Sequence, residues 1–424
     1  MSKDDKTGFW GAFSIGVGGM VGGGIFALLG LAIGLARGGT PVAFAFAGGI
    51  TLITAYSYAR LSVAYPNKGG TVKFINQGWG ATIFSGGLNN LLWLSYVIML
   101  ALYAKAFGSY GLALFPKADP IFSHVFLSGI IILATVLNYL NAKLIGEIET
   151  GVVVFKILIL LIFVALGLAT LGKSDQTGQL AVSEWTSPFR LLAGGMVIFV
   201  AYEGFELIAN TADDIENPKR NLPAAYFASV GFVVLLYVLI SIVSVGQVSF
   251  DKLAEAKDYA LAEAAKPFFG AAGYTLVSIT ALLSTFSAIN ATLYGGSRVN
   301  YETAEEKELF QSFTNYIYDE PVGLPLIAIL TLLVANLLPL ESISTSGSAG
   351  FLLIFAAVNY VAYKKRADIN ANKYLPLTGT ILCAIAFVVL LLQQGLENIW
   401  GAVAAVTIVG ISFLIEWLYK RKRN

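Results

Sequence analysis

Six of the nine residues from 16 to 24 are glycine, and this run lies in the middle of an apolar stretch. Residues 9–35 are numerous enough to cross a bilayer, whose hydrocarbon core of about 30 Å takes about 20 helical residues. Glycine in a helix interior costs about 1 kcal/mol relative to alanine, so we expect this span to break at its centre. Unpaired backbone groups are tolerated inside a membrane only where they line a cavity or bind a ligand. The run therefore predicts a discontinuous membrane helix at a transport site.

The composition predicts that the chain lies almost entirely in a membrane. Hydrophobic residues make up 57% of the sequence and charged residues 12%, against about 25% charged in soluble domains. This indicates an all-α polytopic membrane protein with twelve transmembrane helices in contact with the lipid bilayer, and the net charge of +1 gives no indication of nucleic acid binding. The predicted spans are 8–36, 41–65, 83–114, 122–140, 146–171, 189–211, 223–247, 268–296, 323–340, 346–364, 375–393 and 396–419.

Span six carries a second interruption, because Glu203, Gly204 and Glu206 fall in the middle of an apolar segment. Spans one and six are five spans apart, and inverted repeats with discontinuous first helices are typical of transporters that bind their substrate at the membrane midplane. We therefore expect a five-plus-five inverted-repeat (LeuT-like) core with discontinuous helices 1 and 6. The predicted domains are an N-terminal tail (1–7), a first five-helix repeat (8–171), a second, inverted repeat (189–364), helices 11 and 12 (375–419) and a basic tail (420–424).

The distribution of lysine and arginine predicts the orientation. An even number of spans puts both termini on one side, and most of the lysine and arginine residues then fall on that side. Because such residues accumulate on the cytoplasmic side, we expect a multi-pass protein of the cytoplasmic membrane with both termini in the cytoplasm. Residues 1–7 are too short and too charged for a cleavable signal. The sequence predicts no oligomeric state.

One cysteine, Cys383, and one histidine, His124, exclude several chemistries. They cannot build a disulfide, a zinc site or a thiol–imidazole pair, and the sequence shows no other nucleophile–base pair or metal cluster. We therefore expect neither an enzyme nor a metal or organic cofactor, and His124 is expected at the surface. Coupling to protons would have to use carboxylates or lysine.

Lys156 lies in span five among apolar residues on both sides. A buried cation costs several kcal/mol unless it is paired or gives up its proton, which favours a role in proton coupling. The alternative is that the long side chain extends along the span and places its ammonium at the cytoplasmic end.

Glu203 and Glu206 are three residues apart, so on an intact helix they would face roughly one side. If the helix breaks at Gly204, we expect the two side chains to diverge, with one carboxyl facing the substrate cavity and the other packed within the protein. Each could carry a proton; the alternative is a structural carboxyl bonded to serine, asparagine or backbone groups.

Two other sets of side chains suit either a pocket wall or helix packing. Ser284 and Ser287 share a face of span eight and could bind a cation or an ammonium group, although small residues also pack membrane helices together. Trp93, Tyr96 and Tyr103 recur on one face of span three.

Two of the segments that connect the predicted spans have sequence patterns of their own. Residues 251–266 have apolar side chains at helical spacing, which predicts a short helix over the outer mouth. Residues 303–321 are acidic and predict a solvated cytoplasmic linker.

The ends of broken helices indicate the kind of solute. A half-helix N-terminus presents free N–H groups that suit a carboxylate, and a half-helix C-terminus presents free carbonyls that suit an ammonium. A zwitterion satisfies both, so an amino acid is the expected substrate. The carboxylate is expected at the glycine run and the ammonium at carbonyls of spans one and six. The predicted substrate-binding residues are Ile15, Gly22, Gly23, Gly24, Phe199, Ala201, Tyr202 and Glu203.

Four motifs extend over spans one to eight: Gly-Met-Val-Gly-Gly-Gly-Ile-Phe (19–26), Tyr-Glu-Gly-Phe-Glu (202–206), Glu-Asn-Pro-Lys-Arg-Asn-Leu-Pro (216–223) and Ser-Ala-Ile-Asn-Ala-Thr-Leu-Tyr-Gly-Gly (287–296). Together they resemble the amino acid–polyamine–organocation superfamily. Within it, the chain is similar to archaeal and bacterial proton-coupled amino acid permeases of broad specificity, and the twelve-span layout extends the resemblance over the whole chain.

The resemblance implies a coupling site without sodium. Lys156 would occupy the place of a sodium ion, with the Gly18 carbonyl and the Ser284 hydroxyl as its partners, so the proton is the expected coupling ion. A glutamate matching Glu206 occurs in related exchangers. Glu203 departs from the family pattern, in which this position is usually apolar or neutral, and an extra acid beside the pocket favours cationic substrates.

The expected function is secondary active transport of amino acids by alternating access, as proton-coupled symport. Two alternatives stay open at this point. One is a proton-independent antiporter for amino acids or polyamines, and the other is a non-transporting amino acid sensor built on a transporter fold.

Overall fold

The computed structural model describes residues 6–115, 117–140, 142–318 and 320–423, apart from the side chains of 142–150 and 423. In these ranges the chain is almost entirely helical. The α-helices are α1 (Phe9–Met20), α2 (Gly24–Ala36), α3 (Thr40–Ala64), α4 (Gly70–Trp79), α5 (Ile83–Ala113), α6 (Ile121–Leu140), α7 (Ala142–Leu171), α8 (Pro188–Val197), α9 (Pro218–Gln247), α10 (Phe250–Ala256), α11 (Ala260–Glu305), α12 (Gly323–Leu337), α13 (Leu340–Lys364), α14 (Tyr374–Glu397) and α15 (Ile399–Arg423).

Short 3₁₀ helices and one hairpin complete the chain. The 3₁₀ helices are Thr177–Leu180, Val182–Glu184, Phe199–Tyr202, Phe205–Asp214, Lys257–Tyr259 and Gln311–Thr314. Strands β1 (Tyr316–Ile317) and β2 (Glu320–Pro321) pair antiparallel, with Tyr316 opposite Pro321.

Within the described ranges, nine helices are long and apolar enough to cross a membrane, and two bent pairs bring the number to eleven. The 15-residue helix α12 is also apolar but shorter. These helices confirm the predicted all-α polytopic membrane architecture, whereas the count of twelve and the inverted repeat stay predictions. Helix α5 lies at the centre, with 89% of its apolar window buried, and packs against α6, α11, α13 and α15.

Both predicted helix breaks are present. Helices α1 and α2 form a pair bent by 47° across residues 21–23, inside the glycine run. Helix α8 and the segment Phe199–Asp214 form a second pair bent by 48°. Gly204 in that segment has a φ of 111°, a left-handed conformation that favours glycine because other residues clash there. Composition thus located the first break and the left-handed Gly204, whereas the 48° bend of the second pair falls earlier, at residue 198.

Several boundaries differ from the sequence-based expectations. Helix α9 begins at Pro218 rather than at residue 223, since proline suits the first turn of a helix, where its missing N–H needs no partner. The predicted helical structure in 251–266 is present, with Leu253, Ala256, Ala260 and Ala264 all buried, but it divides into α10, a 3₁₀ turn and the start of α11. Its place over the outer mouth stays a prediction. Helix α4 was not predicted, because ten polar and apolar residues between two spans resemble a loop.

The expectation of a solvated linker at 303–321 holds only in part, since residues 315–318 are exposed whereas Glu308 and Leu309 are buried. Glu308 is fully buried and accepts hydrogen bonds from Ser85 Oγ at 2.7 Å and Asn89 Nδ2 at 2.6 Å, both at the start of α5. Burial raises the pKa of Glu308 above its usual value, and these hydrogen bonds partly oppose the shift. The acidic segment is therefore anchored to span three by a buried carboxyl.

Candidate substrate-binding site

A cavity of about 1000 Å³ enters the protein between α1, α11 and the broken span six. Its mouth lies at the ends of these helices, at Thr7, Lys68, Asp214, Arg298 and Glu302. Its deep end lies at the two breaks and is lined by Ile15, Gly18, Gly19, Tyr103, Glu203, Gly204, Ser287 and Ala288. The cavity thus connects the side of the protein that carries Thr7 with the middle of the membrane-spanning region.

The two broken spans touch through glycine. A Cβ on Gly19 would lie 2.7 Å from the carbonyl oxygen of Gly204, and a Cβ on Gly204 would lie 2.7 Å from the backbone nitrogen of Met20. Real Cβ contacts are longer than this, so the approach requires glycine on both sides. Spans one and six therefore meet backbone to backbone at the end of the cavity.

Side-chain hydroxyls bond to the carbonyls that the breaks release. Ser284 Oγ donates to the carbonyl oxygens of Val21 at 3.1 Å and Gly22 at 2.9 Å. Such bonds remove the cost of leaving backbone groups unpaired inside the protein. Further bonds of this kind join Tyr237 to Met20 and Ala201, and Ser344 and Ser348 to Val197.

Lys156 lies beside the first break. Its side chain is fully buried, and Nζ donates to the carbonyl oxygen of Gly18 at 3.0 Å. The ammonium therefore does not extend to the cytoplasmic end of the span, since it lies at Gly18, in the middle of span one. Val153, one turn earlier in α7, packs against Gly18. The link between spans five and one that the resemblance implies is present as a contact, and its role in coupling stays a proposal.

Glu203 and Glu206 lie on either side of the Gly204 break. Glu203 lines the cavity and accepts a hydrogen bond from Tyr103 Oη at 3.2 Å. Glu206 accepts one from the backbone nitrogen of Gly204 at 2.8 Å and another from Tyr96 Oη at 3.4 Å. One carboxyl thus faces the cavity and the other is held within the protein.

The two carboxyls take the places expected for them, one at the cavity and one within the protein, and they still interact electrostatically across Gly204. The chain leaves the break in a 3₁₀ turn that begins at Phe205, and with Gly204 left-handed the Glu206 side chain folds back to accept a hydrogen bond from the Gly204 backbone nitrogen. Helical spacing could not predict this arrangement, because it does not describe the path of the backbone through a break.

The glycines at the start of α2 lie behind an aromatic side chain. A Cβ on Gly23 would collide with the Tyr103 ring, and one on Gly24 would lie 2.9 Å from Cα of Ala201. Gly22, Gly23 and Gly24 are buried and lie outside the cavity lining in this state.

The other predicted residues fall into two groups. Ile15, Gly18 and Glu203 line the cavity, whereas Phe199, Ala201 and Tyr202 are buried beside it, with Tyr202 Oη bonded to the carbonyl oxygen of Phe44 at 2.9 Å. Tyr103 covers Gly23 and bonds to Glu203. The sequence indicated this residue only as one of the aromatic side chains that share a face of span three. Among the described residues, no group of three His, Cys, Asp or Glu side chains could hold a metal ion.

A multi-pass membrane protein with two helices broken beside a deep cavity has the architecture of a solute transporter. A sequence profile of the family described as amino acid permease matches residues 8–414. The chain belongs to this family.

Three relatives illustrate its range. The chain is 34% identical to an uncharacterized protein of Methanocaldococcus jannaschii, covering 99% of this chain and 96% of the relative. It is 33% identical to the inner membrane transport protein YbaT of Escherichia coli, covering 98% and 97%. It is 26% identical to the serine/threonine exchanger SteT of Bacillus subtilis, covering 72% and 69%. The family consists of permeases rather than enzymes.

Proposed function

We propose that this permease takes up amino acids across the cytoplasmic membrane by proton-coupled symport and alternating access. The observation that carries the proposal is the 3.0 Å bond from Nζ of the buried Lys156 side chain to the Gly18 carbonyl, which borders the cavity. The next residue, Gly19, packs against Gly204 at the end of the cavity. A change of charge on Lys156 would therefore act one residue away from the junction of the two broken spans.

The substrate would bind as a zwitterion across the breaks. Its carboxylate would meet the free N–H groups at Gly22, Gly23 and Gly24, where the positive end of the α2 dipole favours an anion. Tyr103 would first have to rotate away from Gly23, and its hydroxyl would then leave Glu203.

The substrate ammonium would meet carbonyls near Ile15 and Gly18 and near Phe199 and Tyr202. Some of these carbonyls already accept a hydrogen bond from the protein, but each oxygen has a second lone pair. Glu203 supplies a negative charge on the same wall of the cavity.

Coupling requires an interaction that differs between the two conformations. Protonated Lys156 would tie α7 to span one at Gly18, in the place that sodium takes in related transporters, while Ser284 holds Val21 and Gly22 from α11. Loss of the proton from Lys156 would weaken its contact with Gly18 and would leave the hydrogen bonds of Ser284 in place. Glu206, packed at the second break, would hold span six in register.

The cavity supports an inward-open state. Its mouth lies on the side that carries Thr7, which the lysine and arginine distribution predicts to be cytoplasmic. In this proposal, the first ten spans form two inverted repeats, 8–171 and 189–364, which exchange the mouth between the two membrane surfaces, and helices 11 and 12 lie outside them.

The test is uptake of radiolabelled amino acids into proteoliposomes with an inward proton gradient. Lys156→Ala should abolish the dependence on the gradient because it removes the titrating group. Lys105→Ala, which removes a lysine from α5 away from the breaks, is the matched control and should keep it. Full pH-dependent uptake by Lys156→Ala would refute the coupling mechanism.

A proton-independent antiporter is the second candidate, favoured by the similarity to a relative named as an exchanger. Counterflow separates the two. An exchanger takes up labelled amino acid only into liposomes preloaded with unlabelled amino acid, with or without a pH gradient. Binding without any uptake would instead favour the non-transporting sensor.

A further inference from the structure

A second cavity lies where the segment that follows α11 packs against the end of α15. Its volume is about 340 Å³, and it is lined by Lys307, Phe310, Gln311, Tyr419 and Lys422. None of these residues lines the candidate substrate cavity. This cleft therefore joins two segments that are far apart in the sequence, and each segment contributes one lysine to it.

The turn that ends α11 holds Lys307 at the cleft. The backbone nitrogen of Lys307 donates to the carbonyl oxygen of Ala304 at 3.0 Å. The backbone nitrogen of Glu308 donates to the carbonyl oxygen of Thr303 at 3.0 Å, and the two bonds together form a Schellman motif. Glycine is common at the left-handed position of this motif, yet Lys307 occupies it with a φ of 62°. Since the buried Glu308 anchors the turn to α5, the fold fixes the place of the lysine.

The aromatic side chains of the cleft connect its two walls. The rings of Phe310 and Tyr419 pack edge to face with their centroids 5.5 Å apart, and Tyr419 is only 7% exposed. Lys422 Nζ lies 5.5 Å from the centroid of the Phe310 ring. Because an aromatic face attracts a cation, this contact holds the second lysine beside the cleft.

The two lysines of the cleft are available to an anion. Within the ranges that the structure describes, neither has an acidic side chain at ion-pair distance. The acids nearest to them in the sequence have other partners. Glu306 pairs with Lys73 at 3.1 Å. Glu416 pairs with Lys420 at 3.4 Å, and Glu308 bonds to the start of α5. An anion that enters the cleft therefore meets two ammonium groups without having to break an ion pair.

The cleft lies at the end of a helix that is long and apolar enough to cross a membrane. The span predicted for this helix ends at residue 419, just before the basic residues 420–423. Trp417 and Leu418, in the last turn of that span, are each 45% exposed, so we expect them to face lipid. Lys422 follows Leu418 by one helical turn on the same side of α15. The cleft therefore borders the region in which phospholipid headgroups lie.

We propose that the cleft binds the phosphate group of an anionic phospholipid, with the ammonium groups of Lys307 and Lys422 as its partners and the acyl chains beside Leu418. Ammonium groups form strong, charge-assisted hydrogen bonds to phosphate oxygens. A zwitterionic headgroup fits less well, because both lysines and the basic residues 420–423 repel its own ammonium. The site is separate from the substrate cavity, although the bound lipid would join α15 to α11, whose Ser287 lines that cavity.

Binding of short-chain lipids to the purified protein in a neutral detergent tests the site. A ligand that binds only the folded protein raises the unfolding temperature as its concentration increases, and this dependence gives the affinity. Dioctanoyl phosphatidylglycerol should raise the unfolding temperature. Dioctanoyl phosphatidylcholine, with the same chains, and inorganic phosphate, without chains, should raise it far less at equal concentrations. An equal rise with phosphatidylcholine would show that the charge of the headgroup does not matter, and an equal rise with phosphate would show that the ligand is a soluble ion. Either result, or no rise with phosphatidylglycerol, would overturn the proposal.

Substitution of the two lysines tests the residues. Lys307→Gln combined with Lys422→Gln should lower the affinity for phosphatidylglycerol at least about tenfold, since hydrogen bonds from charged groups are lost. The matched control combines Lys219→Gln with Lys373→Gln, which removes the same charge from exposed lysines outside the cleft and should change the affinity by less than about threefold. Equal losses in the two double variants would show that diffuse surface charge attracts the lipid, and would overturn the site.

Lys307→Gly separates binding from folding. Glycine suits the left-handed turn, so this variant should keep the unfolding temperature of the wild type in the absence of lipid. It should still lose affinity for phosphatidylglycerol, because the ammonium is gone. Wild-type affinity in this variant would contradict the assignment of Lys307 to the phosphate.

Discussion

Gly204 is the residue on which the geometry of the site depends most, and Gly204→Ala tests that dependence. An alanine at a φ of 111° would cost about 1–2 kcal/mol in backbone strain. Its Cβ would also lie 2.7 Å from the nitrogen of Met20 and 2.8 Å from Cα of Gly19, and overpacking of this kind costs about 1–3 kcal/mol. We therefore expect a loss of about 2–5 kcal/mol in stability and a separation of the two breaks that impairs transport.

Cys383 supplies the assay for Gly204→Ala. It is the single cysteine of the chain and is fully buried, so a thiol-reactive fluorophore labels it only as the protein unfolds on heating. The matched control is Gly231→Ala in α9, where a Cβ would meet no atom within 4 Å. The control should keep the unfolding temperature or raise it, because alanine favours the helix. If Gly204→Ala unfolded at the wild-type temperature and transported normally, the backbone contact between the breaks would not matter and the reasoning would be refuted.

Two further substitutions test the supports of the site. Ser284→Ala removes the bonds to Val21 and Gly22 and should lower the free energy of unfolding by about 1–3 kcal/mol. The control, Ser278→Ala on the same helix, loses only a bond within that helix and should lower it by less. Equal unfolding temperatures of the two variants would contradict this. Burial raises the pKa of Glu308, so the folded protein binds the carboxyl proton more tightly than the unfolded chain does. The stability that this proton contributes is therefore full below the ordinary carboxyl pKa and is lost as the pH rises through the pKa of the folded state. Glu308→Gln should therefore flatten the dependence of the unfolding temperature on pH, and an unchanged slope would show that other groups cause it.

The sequence predicted the membrane architecture and the interruption of spans one and six because these follow from composition. Six glycines among nine residues of one apolar span, and two acids with a glycine in another, have few explanations in a membrane. Lys156 could also be found as a lone cation in span five. Its contact with Gly18 was implied by family resemblance rather than by spacing.

The missed features depend on how segments far apart in sequence meet. Tyr103 covers Gly23 from a span some 80 residues away, a separation that helical periodicity does not address. Glu308 is buried because α5 supplies polar partners at its first turn, although the segment around it has the composition of a loop. The bond from the Gly204 backbone nitrogen to Glu206 required the left-handed conformation of Gly204. In each case the local pattern was ambiguous, and tertiary packing decided the outcome.

The central claim is that a proton on Lys156 moves with the amino acid. Its most direct test is the simultaneous recording of neutral amino acid uptake and lumenal pH in proteoliposomes, without an imposed pH gradient. Wild-type uptake should acidify the lumen in proportion to the amino acid accumulated, and any uptake left in Lys156→Ala should leave the lumenal pH unchanged. Wild-type uptake without acidification, or acidification that persists in Lys156→Ala, would contradict the account.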